Sequence, residues 1–165
     1  MNTPTMRGSI YLAGFDVFRS DAKAYGEHLK ALCAASGWAG LFPLDNEIPQ
    51  CVSPGQMAQW IYEANIGLIR RADALIANLN NFRGLEPDSG TAFEVGFAAA
   101  LGKPIVAYLD DARPMIDQVG APTDTAGLHV EDFGLPRNLM LACSASIVQG
   151  GLPEALEALG KSLQT

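Results

Sequence analysis

The chain has 165 residues, of which 48% are apolar and 18% charged, a globular composition that fits one domain over 1–165 and leaves no room for two. Eleven Lys and Arg against 18 Asp and Glu give a net charge of −7, which disfavours nucleic acid and anionic membranes as partners. No run reaches the ~18 apolar residues of a membrane helix, and the short run at 10–15 reads as a strand and not as a secretory signal, so a cytoplasmic protein is expected.

In chain order, residues 9–13 predict a first strand. Residues 21–36 predict a helix, capped by Ser20, with Tyr25, Leu29 and Leu32 at helical spacing and Gly37 at its end. Residues 39–42 predict a short second strand closed by Pro43. After a loop at 49–54, with Ser53 as cap, residues 56–71 predict a second helix with Trp60, Ala64, Leu68 and Arg71 in a row. Residues 74–79 (ALIANL) are apolar on both faces and predict a central strand. A loop follows at 80–90, then a helix at 91–101 ended by Gly102 and a strand at 104–109. Residues 110–133 are rich in Pro, Gly, Asp and Thr and predict nothing regular. A short helix at 136–142, a strand at 145–148 and a closing helix at 153–163 complete the chain. Strands alternating with helices imply an α/β fold: a flavodoxin-like, doubly wound sheet of about five parallel strands with helices on both faces. Ligands of such sheets bind beyond the carboxyl ends of the strands, which directs attention to the loops after each strand.

Cys33, Cys51 and Cys143, with His28 and His129, are too scattered for a zinc set or a disulfide framework, so no metal and no cofactor is expected. GxGxxG and GxxxxGK cradles are absent, and two lone histidines support no Ser–His–Asp set. The loop at 80–94 is the informative one. Asp88 ends it, and Glu94 falls in the first turn of the predicted helix. Two carboxylates at a strand's carboxyl end suit glycosidic chemistry, one attacking or stabilising the sugar centre and the other moving a proton. A helix N-terminus would favour the ionised form of Glu94. Both residues also have a purely structural reading. Thr91 to Glu94 matches the S/T-x-x-E capping box, and Asp88 after Pro87 suits a turn. The loop after the first strand, Gly14-Phe15-Asp16-Val17-Phe18, offers an aromatic wall for a planar ring and an acid for a sugar hydroxyl; the alternative is two Phe side chains folded into the core. Pro43-Leu44-Asp45-Asn46-Glu47 offers a polar cluster or a solvated turn.

Together these residues resemble the nucleoside 2-deoxyribosyltransferase family. The resemblance runs from Ile10 to about Met140. It is carried by Tyr11-Leu-Ala-Gly14, by Pro43-Leu-Asp45-Asn46 and by the stretch from Asn65 to Asp73. Its strongest parts are Asp88-Ser-Gly-Thr-Ala-Phe-Glu94-Val-Gly-Phe-Ala and Asn138-Leu-Met140. The resemblance implies that Glu94 is the nucleophile at C1′ of deoxyribose, that Asp88 helps protonate the leaving base, and that Tyr11 positions the glutamate. It implies base recognition at Asn65, where many members carry Asp; the amide departs in charge and does not fit a proton-donor role. Gly14, Phe15, Asp16, Phe18, Asp45, Asn46 and Met140 are the further expected substrate contacts. Asn138 is expected to reach a neighbouring subunit's site and hold the sugar 5′-hydroxyl, although Asn is also a favoured helix cap. The implied partners are 2′-deoxynucleosides, free purine or pyrimidine bases, and further copies of the chain in a dimer-based homo-oligomer such as a hexamer. The alternatives are a 2′-deoxynucleoside 5′-monophosphate N-glycosidase, with Arg19 or Arg83 pairing the phosphate, and a non-catalytic nucleotide-sensing module on the same sheet. The bulky, acidic loop at 14–18 argues against a phosphate cradle.

Overall fold

The computed structural model describes residues 7–47, 49–50 and 52–163. Its five strands are β1 (Ser9–Ala13), β2 (Ala39–Leu41), β3 (Ala74–Asn78), β4 (Ile105–Leu109) and β5 (Ser146–Gln149). They form one sheet in the order β2-β1-β3-β4-β5, and every neighbouring pair is parallel. This is the flavodoxin-like order with its switch point between β1 and β3. The α/β fold expected from the alternation of strands and helices is therefore the one observed.

The period-2 alternation of a strand sorts the core into two layers. Ile10 and Leu12 of β1, with Ala74 and Ile76 of β3, pack against Leu29 and Cys33 of α1 (Ala22–Ala35) and against Leu152, Ala155, Leu156 and Leu159 of α6 (Leu152–Ser162). Tyr11, Ala13, Leu75 and Ala77 face the other way. They meet Leu68 and Ile69 of α2 (Pro54–Arg71) and Val95 and Ala98 of α3 (Ser89–Ala100). β3 and β4 are buried along their whole length, as a parallel sheet covered on two faces requires. Tyr11 consequently points at α3, and this decides where the site lies.

Local signals explain most element ends. Ser53 accepts from the Gln56 N–H and Pro54 occupies the first helical position, so α2 starts two residues earlier than predicted. Ser20 does not cap α1: Asp21 stands at that position and makes no side-chain bond to the helix N–H groups, its carboxylate being held by Arg19. The stretch after β4 is less irregular than its composition suggests. It contains α4 (Met115–Val119), ended by Gly120 in the left-handed region at φ 78°, and an antiparallel bridge between Thr123 and His129. Arg137 fastens this excursion to the sheet. Its guanidinium, 1% exposed, donates to Leu79 O at 2.8 Å, Asn81 Oδ1 at 2.6 Å, Gln118 Oε1 at 2.9 Å and Pro136 O at 2.9 Å. The chain then enters the short α5 (Leu139–Ala142), which packs beside α3.

Among the described residues no helix is long and apolar enough to cross a membrane, and no group of three or more His, Cys, Asp and Glu could hold a metal ion. Cys51 lies outside the described residues. Cys33 is buried, and that burial pushes its thiol up to about 11, whereas Cys143 is exposed.

Candidate active site

A cavity of about 910 Å³ opens at the carboxyl ends of β1 and β2, beside the switch point. Its volume suits a small organic ligand. Gly14, Val17 and Phe18 wall it after β1, the segment 43–47 after β2, Trp60, Ile61, Ala64 and Asn65 along α2, and Asp88, Gly90, Thr91 and Glu94 at the start of α3.

Glu94 lines the cavity and forms its chemical centre with Tyr11, which lies buried behind it outside the lining. The Tyr11 hydroxyl, on a fully buried ring in mid-strand, donates to Glu94 Oε1 at 2.5 Å. Burial, reinforced by the facing carboxylate, pushes the Tyr11 hydroxyl far above its usual range, so it acts as a fixed donor and never as a base. Burial pushes the Glu94 carboxyl up to about 7; the Tyr11 hydrogen bond opposes this, and the charge of Asp88 adds to it. The expectation that a helix N-terminus holds Glu94 ionised is therefore corrected. The helix begins at Ser89 and not at Thr91, which puts Glu94 in the second turn, beyond the reach of the orphan N–H groups.

The capping box expected between Thr91 and Glu94 is also absent. Asp88 is the N-cap: its Oδ2 accepts from the Thr91 N–H at 2.9 Å and the Thr91 hydroxyl at 3.1 Å. Asp88 thus caps the helix and lines the cavity at once. Its Oδ1 takes no hydrogen bond from the described residues.

The remaining expected residues divide. Gly14, Phe18, Asp45, Asn46 and Asn65 line the cavity. Asp45 is held by Lys30 Nζ at 2.7 Å and by the Phe42 N–H at 2.9 Å, and Asn65 Oδ1 is a buried oxygen without a hydrogen-bond partner among the described residues. Phe15 and Asp16 do not line it. Phe15 stacks on Phe82, which stacks in turn on Phe18, each pair with centroids 5.3 Å apart, so Phe15 backs the wall that Phe18 presents. Asp16 is turned away from the cavity and bonds Asn78. Asn138 and Met140 stand outside this cavity. Asn138 caps α5 through the Met140 N–H and donates to Glu131 Oε1 at 2.6 Å; Met140 is 73% exposed.

Lys23, Gln50, Trp60, Ile61 and Ala64 also line the cavity, and sequence reasoning misses all five. The helical row of Trp60 and Ala64 marks a helix face without saying that the face meets a ligand. The available signal is the pairing of Trp60 with Ala64 and Ile61 with Asn65, four apart, a stripe that carries an amide toward the strand ends.

A doubly wound sheet whose cavity beside the switch point is lined by carboxylates, Asp88 and Glu94 among them, defines an α/β protein equipped for acid–base and nucleophilic work on a small ligand. Comparison with known proteins narrows the class. The family model described as nucleoside 2-deoxyribosyltransferase matches residues 10–140. A 2-desoxiribosyltransferase from Leishmania mexicana is 39% identical, with a TM-score of 0.79 over 93% of this chain and 97% of that one. An uncharacterized protein of Schizosaccharomyces pombe is 34% identical over 155 residues, 79% of this chain and 74% of its own length. A conserved protein of Enterococcus faecalis V583 shares the fold at 22% identity, with a TM-score of 0.61 over 93% of this chain and 98% of that one. The chain belongs to the nucleoside 2-deoxyribosyltransferase family. Membership supports an enzyme of the deoxyribosyltransferase kind.

Proposed function

We propose that this protein exchanges the base of 2′-deoxynucleosides through a deoxyribosyl ester of Glu94. The observation that carries this reading is the Glu94 carboxylate in the cavity, pinned through Oε1 by Tyr11 and flanked by Asp88. Tyr11 fixes one oxygen, and Oε2 takes no hydrogen bond from the described residues. That oxygen attacks C1′ from the face opposite the base. The C1′–N bond breaks, its electron pair leaves with the base, and Asp88 supplies the proton that neutralises it. An acceptor base then attacks C1′ through nitrogen, returns its proton to Asp88 and frees the Glu94 carboxylate. Two inversions give net retention, the logic of the retaining glycosidases.

Phe18, stiffened by Phe82 and Phe15, supplies a flat face for the base, and Asn65 an amide for its edge. Asp45 and Asn46 supply polar groups for sugar hydroxyls. Asn138 and the exposed Met140, outside their own chain's cavity, serve a neighbouring subunit in this scheme. Incubation with 2′-deoxyinosine and adenine tests the reading: 2′-deoxyadenosine and hypoxanthine should appear together, whereas free deoxyribose without base exchange would point to the hydrolase.

A further inference from the structure

Asp16 belongs to the loop that walls the cavity, yet it takes no part in the lining. The residue is only 6% exposed, and its Oδ2 accepts from Asn78 Nδ2 at 3.0 Å, with Asn78 equally buried. The connection continues across the sheet. Asn78 Oδ1 accepts from the backbone N–H of Asn80 at 3.1 Å and from its side-chain amide at 3.0 Å, and Asn80 Oδ1 accepts from the Asp110 N–H at 2.7 Å. One run of hydrogen bonds thereby joins the carboxyl ends of β1, β3 and β4.

Gly14 rests on the first link of that run. A Cβ built there would stand 2.9 Å from Asn78 Cβ and 2.9 Å from Asp16 Oδ2. The Gly14 backbone is extended, at φ 165°, so close approach and not a left-handed turn explains the glycine. On its other side Gly14 lines the cavity with Val17 and Phe18. A carboxylate this buried is costly unless its partner is well placed, and the Asn78 amide is its hydrogen-bond donor from another strand. Burial raises the Tyr25 and Tyr108 hydroxyls, and Asp16 adds to both shifts, so the residue sits close to these two side chains on the α1 side of the sheet.

We propose that the Asp16–Asn78 pair is a positioning device: it sets the height of the segment 14–18 and so the place of the nucleoside against Phe18, without touching substrate. The inference rests on the base exchange proposed above. It separates Asp16 from the sugar contact that its position in sequence suggests. Tyr11 and Glu94 lie on the opposite face of β1, so disturbing the pair should move substrate affinity more than the chemical step.

The test uses N78D, D16N and the exchanged double variant D16N/N78D in the full chain, with D16A as a second way of breaking the pair. N78D sets two carboxylates at hydrogen-bond distance, and KM for 2′-deoxyinosine should rise roughly tenfold while kcat stays within about threefold of wild type. D16N keeps an acceptor for Asn78 and should hold KM within about twofold. The double variant restores a donor–acceptor pair with its direction reversed, since the carboxylate introduced at position 78 can still accept from Asn80, and KM should return close to wild type. D16A should resemble N78D. Wild-type KM in folded N78D or D16A, a kcat loss with KM unchanged, or no recovery in a folded double variant would each overturn the pairing. Absence of base exchange by wild type would instead overturn the proposed reaction. Calorimetric binding of 2′-deoxyinosine would then read the pair alone, with the same expected loss and recovery.

Discussion

Tyr11 and Glu94 stand 83 residues apart in sequence and 2.5 Å apart through the phenol hydrogen bond. β1 supplies the donor from its buried middle and α3 the acceptor from its second turn, so the packing of that helix on the sheet sets the orientation of the carboxylate. Tyr11→Phe removes the hydrogen bond that holds the Glu94 carboxyl down, so its pKa should climb beyond about 7. The acid limb of the kcat/KM profile reports the free enzyme, and it should move to higher pH in the variant. At pH 7 the loss should be on the order of ten- to a hundredfold, as for removal of a hydrogen bond to a charged group. A pH–rate series on both proteins checks the direction.

Glu94→Gln should stabilise the ligand-free protein at alkaline pH. The Glu94 carboxyl is raised from 4.5 to about 7, so the folded chain holds a proton there that the unfolded chain has lost. That contribution is complete below about pH 4.5 and disappears as pH rises through 7. Wild type thus bears the cost of a buried ionised carboxylate above pH 7, on the order of 3 kcal/mol, which the amide does not. Melting curves should separate at pH 8.5, with the variant higher, and converge near pH 4.5.

Asp88 has two duties that substitution can separate. Asp88→Asn keeps a good N-cap for Thr91 and should fold with little change, whereas Asp88→Ala should lose about 0.5–2 kcal/mol. Both remove the proton donor and should slow exchange from 2′-deoxyinosine by roughly 10²–10⁴. 7-Methyl-2′-deoxyguanosine, a cation whose base leaves as neutral 7-methylguanine without a proton from Asp88, should release that base in a first turnover almost as fast with Asp88→Asn as with wild type. Equal slowing with both donors would remove Asp88 from the acid role.

Much of this architecture is legible in the residues. Apolar runs such as ALIANL mark the buried strands, and Ser53-Pro54 and Gly37 mark helix ends. The parallel direction of the strands follows from alternation, whereas their order in the sheet comes from the structure. Tyr11, Asp88 and Glu94 meet because strand parity and the loop after β3 bring them together. Other features need three dimensions. Arg137 is a residue type normally found at the surface, and only the closed excursion after β4 surrounds it with carbonyl and amide acceptors. The Thr91 pattern also suits a capping box, but Asp88 reaches the same N–H first and starts the helix earlier. Asp16 carries no sequence sign of facing Asn78 rather than the ligand.

A 5′-phosphate should weaken turnover. Among the described residues, Asp45, Glu47, Asp88 and Glu94 line the cavity against the single cation Lys23, and Arg19 is bound to Asp21. kcat/KM for 2′-deoxyinosine 5′-monophosphate should fall well below that for 2′-deoxyinosine at equal ionic strength, and equal or faster turnover would favour the monophosphate glycosidase.

Activity should also require neighbouring chains. Asn138 lies outside its own cavity, held by Glu131, beside the exposed Met140. Mixing inactive Glu94→Ala with a strongly impaired Asn138→Ala variant, under conditions where subunits exchange, should restore activity in mixed assemblies. Exchange without recovery would confine Asn138 to capping α5.

The central claim is a covalent bond between C1′ and Glu94. The most direct measurement is peptide mass mapping after incubation with a 2-fluoro-2-deoxynucleoside, whose fluorine destabilises the cationic transition state and slows release of the ester. A fluorodeoxyribosyl mass on the peptide containing Glu94, abolished in Glu94→Gln, is the predicted result. An adduct on another residue, or none from an enzyme that exchanges bases on natural substrates and is inactivated by the probe, would contradict it.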